Sequence, residues 1–221
     1  PALADIVNAK GQRAIDLACL ECRQAMQRAL FLLGRYDVDT TPPLHFSATA
    51  AVLGATDYDA DPKQRRALKA MRDPSAVLAE LKGRAGLDSK YVVAVMGVHV
   101  CENADGVDQI VEAAKLTSVV VDKNADLGGL SGVLAQWARG EVDDASRAED
   151  DAAAKQRFAD YKYLVVLELA DETLNHALTH GGIAAEDFLE IRKIGRDLAE
   201  ALDHLHEKKR IHADVKPLNV V

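Results

Sequence analysis

Three cysteines in 221 residues are too few, and of the wrong parity, for a disulfide framework. That usage suits a reducing compartment, and the expected location is cytoplasmic. Long apolar runs are missing too. The longest, Tyr91 to Cys101, falls short of the ~20 residues a spanning helix needs and contains His99. Nothing resembles a secretory signal. Basic residues are in the minority, 27 Lys and Arg against 35 Asp and Glu, and the net charge of −8 argues against a nucleic-acid surface. Neither nucleic acid nor membrane is therefore expected as a partner. Cys19 and Cys22 form a C-x-x-C, but a zinc site needs a second pair and only Cys101 remains. Three apart on a helix, they share a face and read as small core residues.

What is present is ordinary for a globular chain: 48% hydrophobic and 28% charged residues, in a length that suits one large or two small domains. Residues 184–208 carry a helical period in Phe188, Ile191, Ile194, Leu198, Ala201, Leu202 and Leu205, after a Gly181-Gly182 break. Tyr163 to Ala170 is a short apolar run of strand character. Asp171 is placed to cap a short helix over Glu172 to Thr179. Leu116 to Val121 reads as a strand or buried segment. Glu141 to Asp160 is acidic and alanine-rich, a solvated helix or excursion, with partner docking as the alternative.

The sharpest signal is His212-Ala213-Asp214-Val215-Lys216-Pro217-Leu218-Asn219, an H-x-D-x-K-P-x-N pattern. It resembles the catalytic loop of the protein kinases, of the Ser/Thr type because of the lysine. The resemblance covers about residues 36–221. It implies an α+β, two-lobe fold with an incomplete C-lobe, using ATP and Mg²⁺ to phosphorylate Ser or Thr on a protein substrate. Asp214 is then the catalytic base, Lys216 contacts the transferred phosphoryl group and Asn219 binds the metal. Arg66-Ala67-Leu68-Lys69 resembles the V-A-I-K strand. Lys69 then holds the phosphates, and Glu80 on the following helix is its acidic partner. Thirteen residues after Glu80, Val92-Val93 begin the next strand. Val52 and Ala67 form the roof of the adenine slot and Val221 its floor. Leu167 is the gatekeeper, Glu168 starts the hinge and Ala170 offers its backbone N–H to adenine. Thr173 or Glu172 lies near the ribose.

The implied organisation is an N-lobe and hinge over 36–170, with an insertion at about 100–160, and the start of a C-lobe over 171–221. Two departures stand out. The segment at the glycine-rich loop, His45-Phe46-Ser47-Ala48-Thr49-Ala50-Ala51-Val52, has no glycine, so the backbone cannot approach phosphates free of Cβ atoms. Its serine and threonine hydroxyls are the replacement donors. Ala213 replaces the arginine that pairs with a phosphorylated activation loop.

Residues 1–35 resemble a terminal ankyrin-like repeat in Asn8-Ala9-Lys10-Gly11 and Arg13 to Ala18, followed by a second helix through Ala25, Met26, Ala29 and Leu30. Such repeats dock a protein partner; a plain helical hairpin is the alternative. The chain reads as a fragment of a longer protein, inactive by itself. Two other functions stay open: a pseudokinase that binds nucleotide weakly or not at all, and a small-molecule phosphotransferase of related fold.

Overall fold

The computed structural model describes residues 6–39, 42–47, 49–140, 159–180 and 187–221, without the side chains of 136–140. The chain opens on a turn in which the Asn8 side chain accepts from the Lys10 and Gln12 amides. A one-turn helix α1 (Ala14–Leu17) precedes a longer α2 (Leu20–Leu30). Extended backbone at Ala18 and Cys19 cuts the first helix short. Cys19 and Cys22 are exposed, which corrects the core reading. The reason is that α2 buries only Gln27, so its thiol-bearing positions meet solvent. This N-terminal segment docks on the first strands and their connecting turn through Arg13–Asp37 and Asp16–Lys63 ion pairs and a Phe31–Tyr58 ring contact.

The sheet is assembled from β1 (Tyr36–Val38), β2 (His45–Phe46), β3 (Ala50–Asp57) and β4 (Gln64–Met71), then β5 (Val95–Val100), β6 (Val121–Asp122) and β7 (Tyr163–Glu168). Its order is β1-β3-β4-β7-β5-β6, with β2 also on β3. Every pairing is antiparallel except β5 with β6. Between the strands lie α3 (Pro74–Arg84), α4 (Val107–Lys115) and α5 (Gly128–Gly140). The alternation of side chains along each strand divides the core in two. Leu53, Leu68, Leu164 and Val166 face Leu130 and Leu134 of α5. Ala67, Met71, Val165 and Leu167 face Val77 and Leu81 of α3 and Ile110 of α4. Helices on both faces explain why β7 is a continuous apolar run. The mixed α+β class expected from the sequence is the class the chain adopts.

One buried charge ties the first strands together. Asp57 is 1% exposed and accepts a two-pronged hydrogen bond from Arg35 at 2.7 and 2.8 Å. Arg66 stands 3.7 Å from the same carboxylate, an ionic contact too long for a hydrogen bond. Burial pushes the Asp57 pKa up, but the Arg35 fork and the charges of both arginines outweigh it and hold the carboxyl below its ordinary value.

Residues 116–121 differ from the expectation. After α4 the chain turns through Ser118 at φ 55°, and only Val121–Asp122 join the sheet. Leu116 and Val120 are exposed, so 116–121 is neither one strand nor a buried segment. Residues 141–158 of the acidic stretch lie outside the described residues. Two further helices close the described chain, α6 (Leu174–Thr179) and α7 (Phe188–Glu207). The cap of α6 is Thr173, whose Oγ1 accepts from His176 N at 3.2 Å, not Asp171. Thr173 directly precedes the first helical residue, where a side-chain oxygen reaches the free amides.

Candidate active site

Lys69 and Glu80 come from neighbouring elements, strand β4 and helix α3. Asp73 accepts from Ser75 N and Pro74 supplies a preset φ, so α3 starts directly after β4. Val77 and Leu81 turn into the core, which leaves Glu80 on the flank toward β4. Lys69 Nζ lies 2.8 Å from Glu80 Oε2. The other carboxylate oxygen, Oε1, is 2.9 Å from Arg84 Nη1. Sequence reasoning missed Arg84, although its place one helical turn after Glu80 is the spacing at which opposite charges meet.

Lys69, Ala67 and Met71 alternate onto the α3 face of β4, and Val52 is the cross-strand partner of Lys69. Ala67 pairs with Leu167 on its other side. Val52, Ala67 and Leu167 thus belong to one apolar cluster beside the Lys69–Glu80 pair. Glu168 ends β7, and its amide donates to Ala94 O at 3.0 Å. The Ala170 amide donates to no described residue. Val221 is 63% exposed and stands outside the apolar cluster. Leu174 N donates to Val220 O at 2.8 Å, which fastens the start of α6 to the end of the loop.

The turn between β2 and β3 covers the segment expected to stand at the glycine-rich loop. Ser47 N donates to Ala50 O, Ala50 N donates to Ser47 Oγ, and that hydroxyl lies 3.1 Å from Ala50 O. The Ser47 hydroxyl is therefore engaged inside its own turn. Val93, expected to open the next strand, is instead a loop residue. Its carbonyl accepts from Arg84 Nε at 3.0 Å, and β5 starts at Val95.

In the C-terminal loop, Asp214, Lys216 and Asn219 touch one another. Lys216 Nζ is 2.8 Å from Asp214 Oδ2. Asn219 Nδ2 donates to both Asp214 O and Asp214 Oδ2 at 2.9 Å. The Lys216 contact, with help from Asn219, holds the Asp214 pKa below its ordinary value. Asp214 is thus ionised at neutral pH and held by two donors. Ala213 carries the turn into it at φ 59°, a left-handed conformation uncommon outside glycine. Asn219 would offer a metal its carbonyl oxygen, since the amide nitrogen is a donor and binds Asp214. One oxygen donor suits a hard cation that keeps water and phosphate as its other ligands. Among the described residues no group of three metal-ligating side chains occurs. No hydrogen bond or ion pair between described residues joins the Lys69–Glu80 pair to the Asp214 loop.

No helix of the described residues is long and apolar enough to cross a membrane. No family model matches the chain, and no curated protein matches it. Among solved structures it is similar to the crystal structure of Rad53 1-466 in complex with AMP-PNP, with a TM-score of 0.46 and 16% identity. The likeness covers 90% of this chain, which spans 38% of that one.

Proposed function

We propose that the chain carries the nucleotide-binding lobe and catalytic loop of an ATP-dependent protein kinase acting on Ser or Thr hydroxyls. The observation that carries this reading is the 2.8 Å Lys69–Glu80 ion pair, set beside an apolar cluster containing Val52 and Ala67. The mutual contacts of Asp214, Lys216 and Asn219 support it. In this reading 36–170 is the N-lobe with hinge, 171–221 opens the C-lobe, and 1–35 is an ankyrin-like element for a protein partner.

The residues act as follows. Val52 and Ala67 cover adenine from one side and Val221 from the other, while the Ala170 amide and the Glu168 carbonyl face its edge. Thr173 lies near the ribose through its backbone, its hydroxyl being engaged as the α6 cap. Glu80 aims Lys69, and Lys69 fixes the phosphates. The acceptor hydroxyl oxygen attacks the γ-phosphorus, its proton passes to Asp214, and ADP leaves. Lys216 neutralises charge on the phosphoryl oxygens. Asn219 would hold Mg²⁺, whose charge would help to neutralise the phosphates.

The self-closed Ser47–Ala50 turn favours a second reading, a pseudokinase with weak nucleotide affinity. A titration of the full-length protein with Mg-ATP, paired with an assay of phosphate transfer to protein, separates the two. Binding with transfer to Ser or Thr is expected. Binding without transfer establishes the pseudokinase, and neither refutes both.

A further inference from the structure

We infer that Arg84 is a positioning residue for the proposed nucleotide site, a second cation that sets the carboxylate of Glu80 so that Glu80 in turn sets Lys69. This rests on the protein kinase reading of Lys69 and Glu80.

The geometry divides one carboxylate between two cations. Oε2 of Glu80 faces Lys69 at 2.8 Å and Oε1 faces Arg84 at 2.9 Å. The Arg84 side chain also lies 3.3 Å from the Glu80 carbonyl, and its Nε donates to Val93 O at 3.0 Å. A guanidinium presents donors in a fixed plane, so these contacts determine its orientation together. With one oxygen claimed by Arg84, Glu80 cannot rotate away from Lys69 without breaking a charge-assisted hydrogen bond. All three side chains are mostly covered: 25% exposed for Lys69, 14% for Glu80 and 23% for Arg84.

The arrangement has two consequences. The cluster contains two cations and one carboxylate, so its net charge is +1 rather than zero, which favours an anionic phosphate beside Lys69. The clamp also reaches the loop before β5, next to the proposed hinge. Val93 precedes Ala94, whose carbonyl accepts the Glu168 amide. Phosphate anchor, helix α3 and the proposed hinge are thereby held by one run of contacts.

The test uses full-length protein carrying Arg84→Ala or Arg84→Lys. For Arg84→Ala the Mg-ATP KM is expected to rise on the order of tenfold, as for a lost charge-assisted hydrogen bond, while the KM for the protein acceptor stays constant. Arg84→Lys keeps the charge but not the fork, so it restores only part of the loss. A Glu80→Gln background removes the effect of Arg84→Ala. Solvent exchange of the Lys69 ammonium protons, followed by nuclear magnetic resonance, gives a readout that does not require catalysis. It is slow in the wild type and accelerates in Arg84→Ala. Wild-type transfer with an Arg84→Ala variant unchanged in both KM and exchange overturns the role of Arg84 and leaves the kinase reading intact. Accelerated exchange in a protein that transfers no phosphate keeps Arg84 as the positioner and overturns the kinase reading.

Discussion

Strand β7 is an apolar run and helix α7 carries an apolar stripe, yet the structure treats the two in opposite ways. Leu164, Val165 and Val166 of β7 are almost wholly covered, by α5 on one face and α3 and α4 on the other. In α7, Phe188, Leu189 and Ile191 are 76%, 82% and 43% exposed, and Leu205 alone is buried. The described contacts of α7 with the sheet region are local. His204 accepts the Asp88 amide and stacks on Tyr91, and Lys90 reaches Glu200. Periodicity in a sequence thus specifies an element and its apolar face, but not which residues cover that face.

Single substitutions measure the contrast. Leu68 is fully enclosed, so Leu68→Ala should cost roughly 3–5 kcal/mol through lost transfer energy and a cavity. Leu189→Ala should stay within about 0.5 kcal/mol. Urea unfolding of both variants reads the difference, and equal losses would show that α7 has a covered face after all.

Asp57→Asn comes next. It removes the charge facing Arg35 and Arg66, at a cost of about 3 kcal/mol, the low end for a broken buried pair because Arg35 remains 38% exposed. Because the folded pKa of Asp57 is depressed, its contribution is full above the unfolded value near ~3.9 and disappears as pH falls through the folded value. Thermal melts between neutral and strongly acidic pH should therefore converge for wild type and variant. A constant gap down to the lowest pH would contradict the ion pair.

Smaller and more specific is the coupling within the site. Lys69→Ala and Glu80→Ala should each impair turnover, and the double variant should lose little more than the worse single one, because the pair acts as a unit. Additive losses in kcat/KM would show two independent roles. The smallest expected effect is a pH shift. Lys216→Ala removes the main contact that lowers the Asp214 pKa, so the acid limb of kcat should move upward toward the ordinary aspartate value. An unmoved limb would mean that another group controls it.

The mixed α+β class and the pairing of Lys69 with Glu80 were legible in the sequence. Lys69, Glu80 and the Asp214–Asn219 loop each sit within short local patterns, where strand alternation or loop spacing determines which side chains are neighbours. Their functional roles still came from resemblance, and the contacts alone do not assign them. Arg84 went unread because an ion pair one turn away on a helix has the same spacing whether it is solvated or part of a site. Between β5 and β7, α4 and α5 were missed although Ile110, Ala113 and Ala114, and Leu127, Leu130 and Leu134, carry helical spacing. Gly128-Gly129 reads as a break, whereas Asp126 accepts the Gly128 amide and α5 begins there. Cys19 and Cys22 were misjudged because a shared helical face says nothing about what lies opposite.

The central claim is that Asp214 takes the proton of a hydroxyl during phosphoryl transfer. It is tested most directly by comparing wild-type and Asp214→Asn full-length protein for transfer from Mg-ATP to a protein acceptor. Asparagine keeps the size of the side chain and its contact with Asn219 but cannot accept the proton. A loss of at least ~10²-fold in kcat with nearly unchanged nucleotide binding is expected. An Asp214→Asn protein as active as the wild type would contradict it.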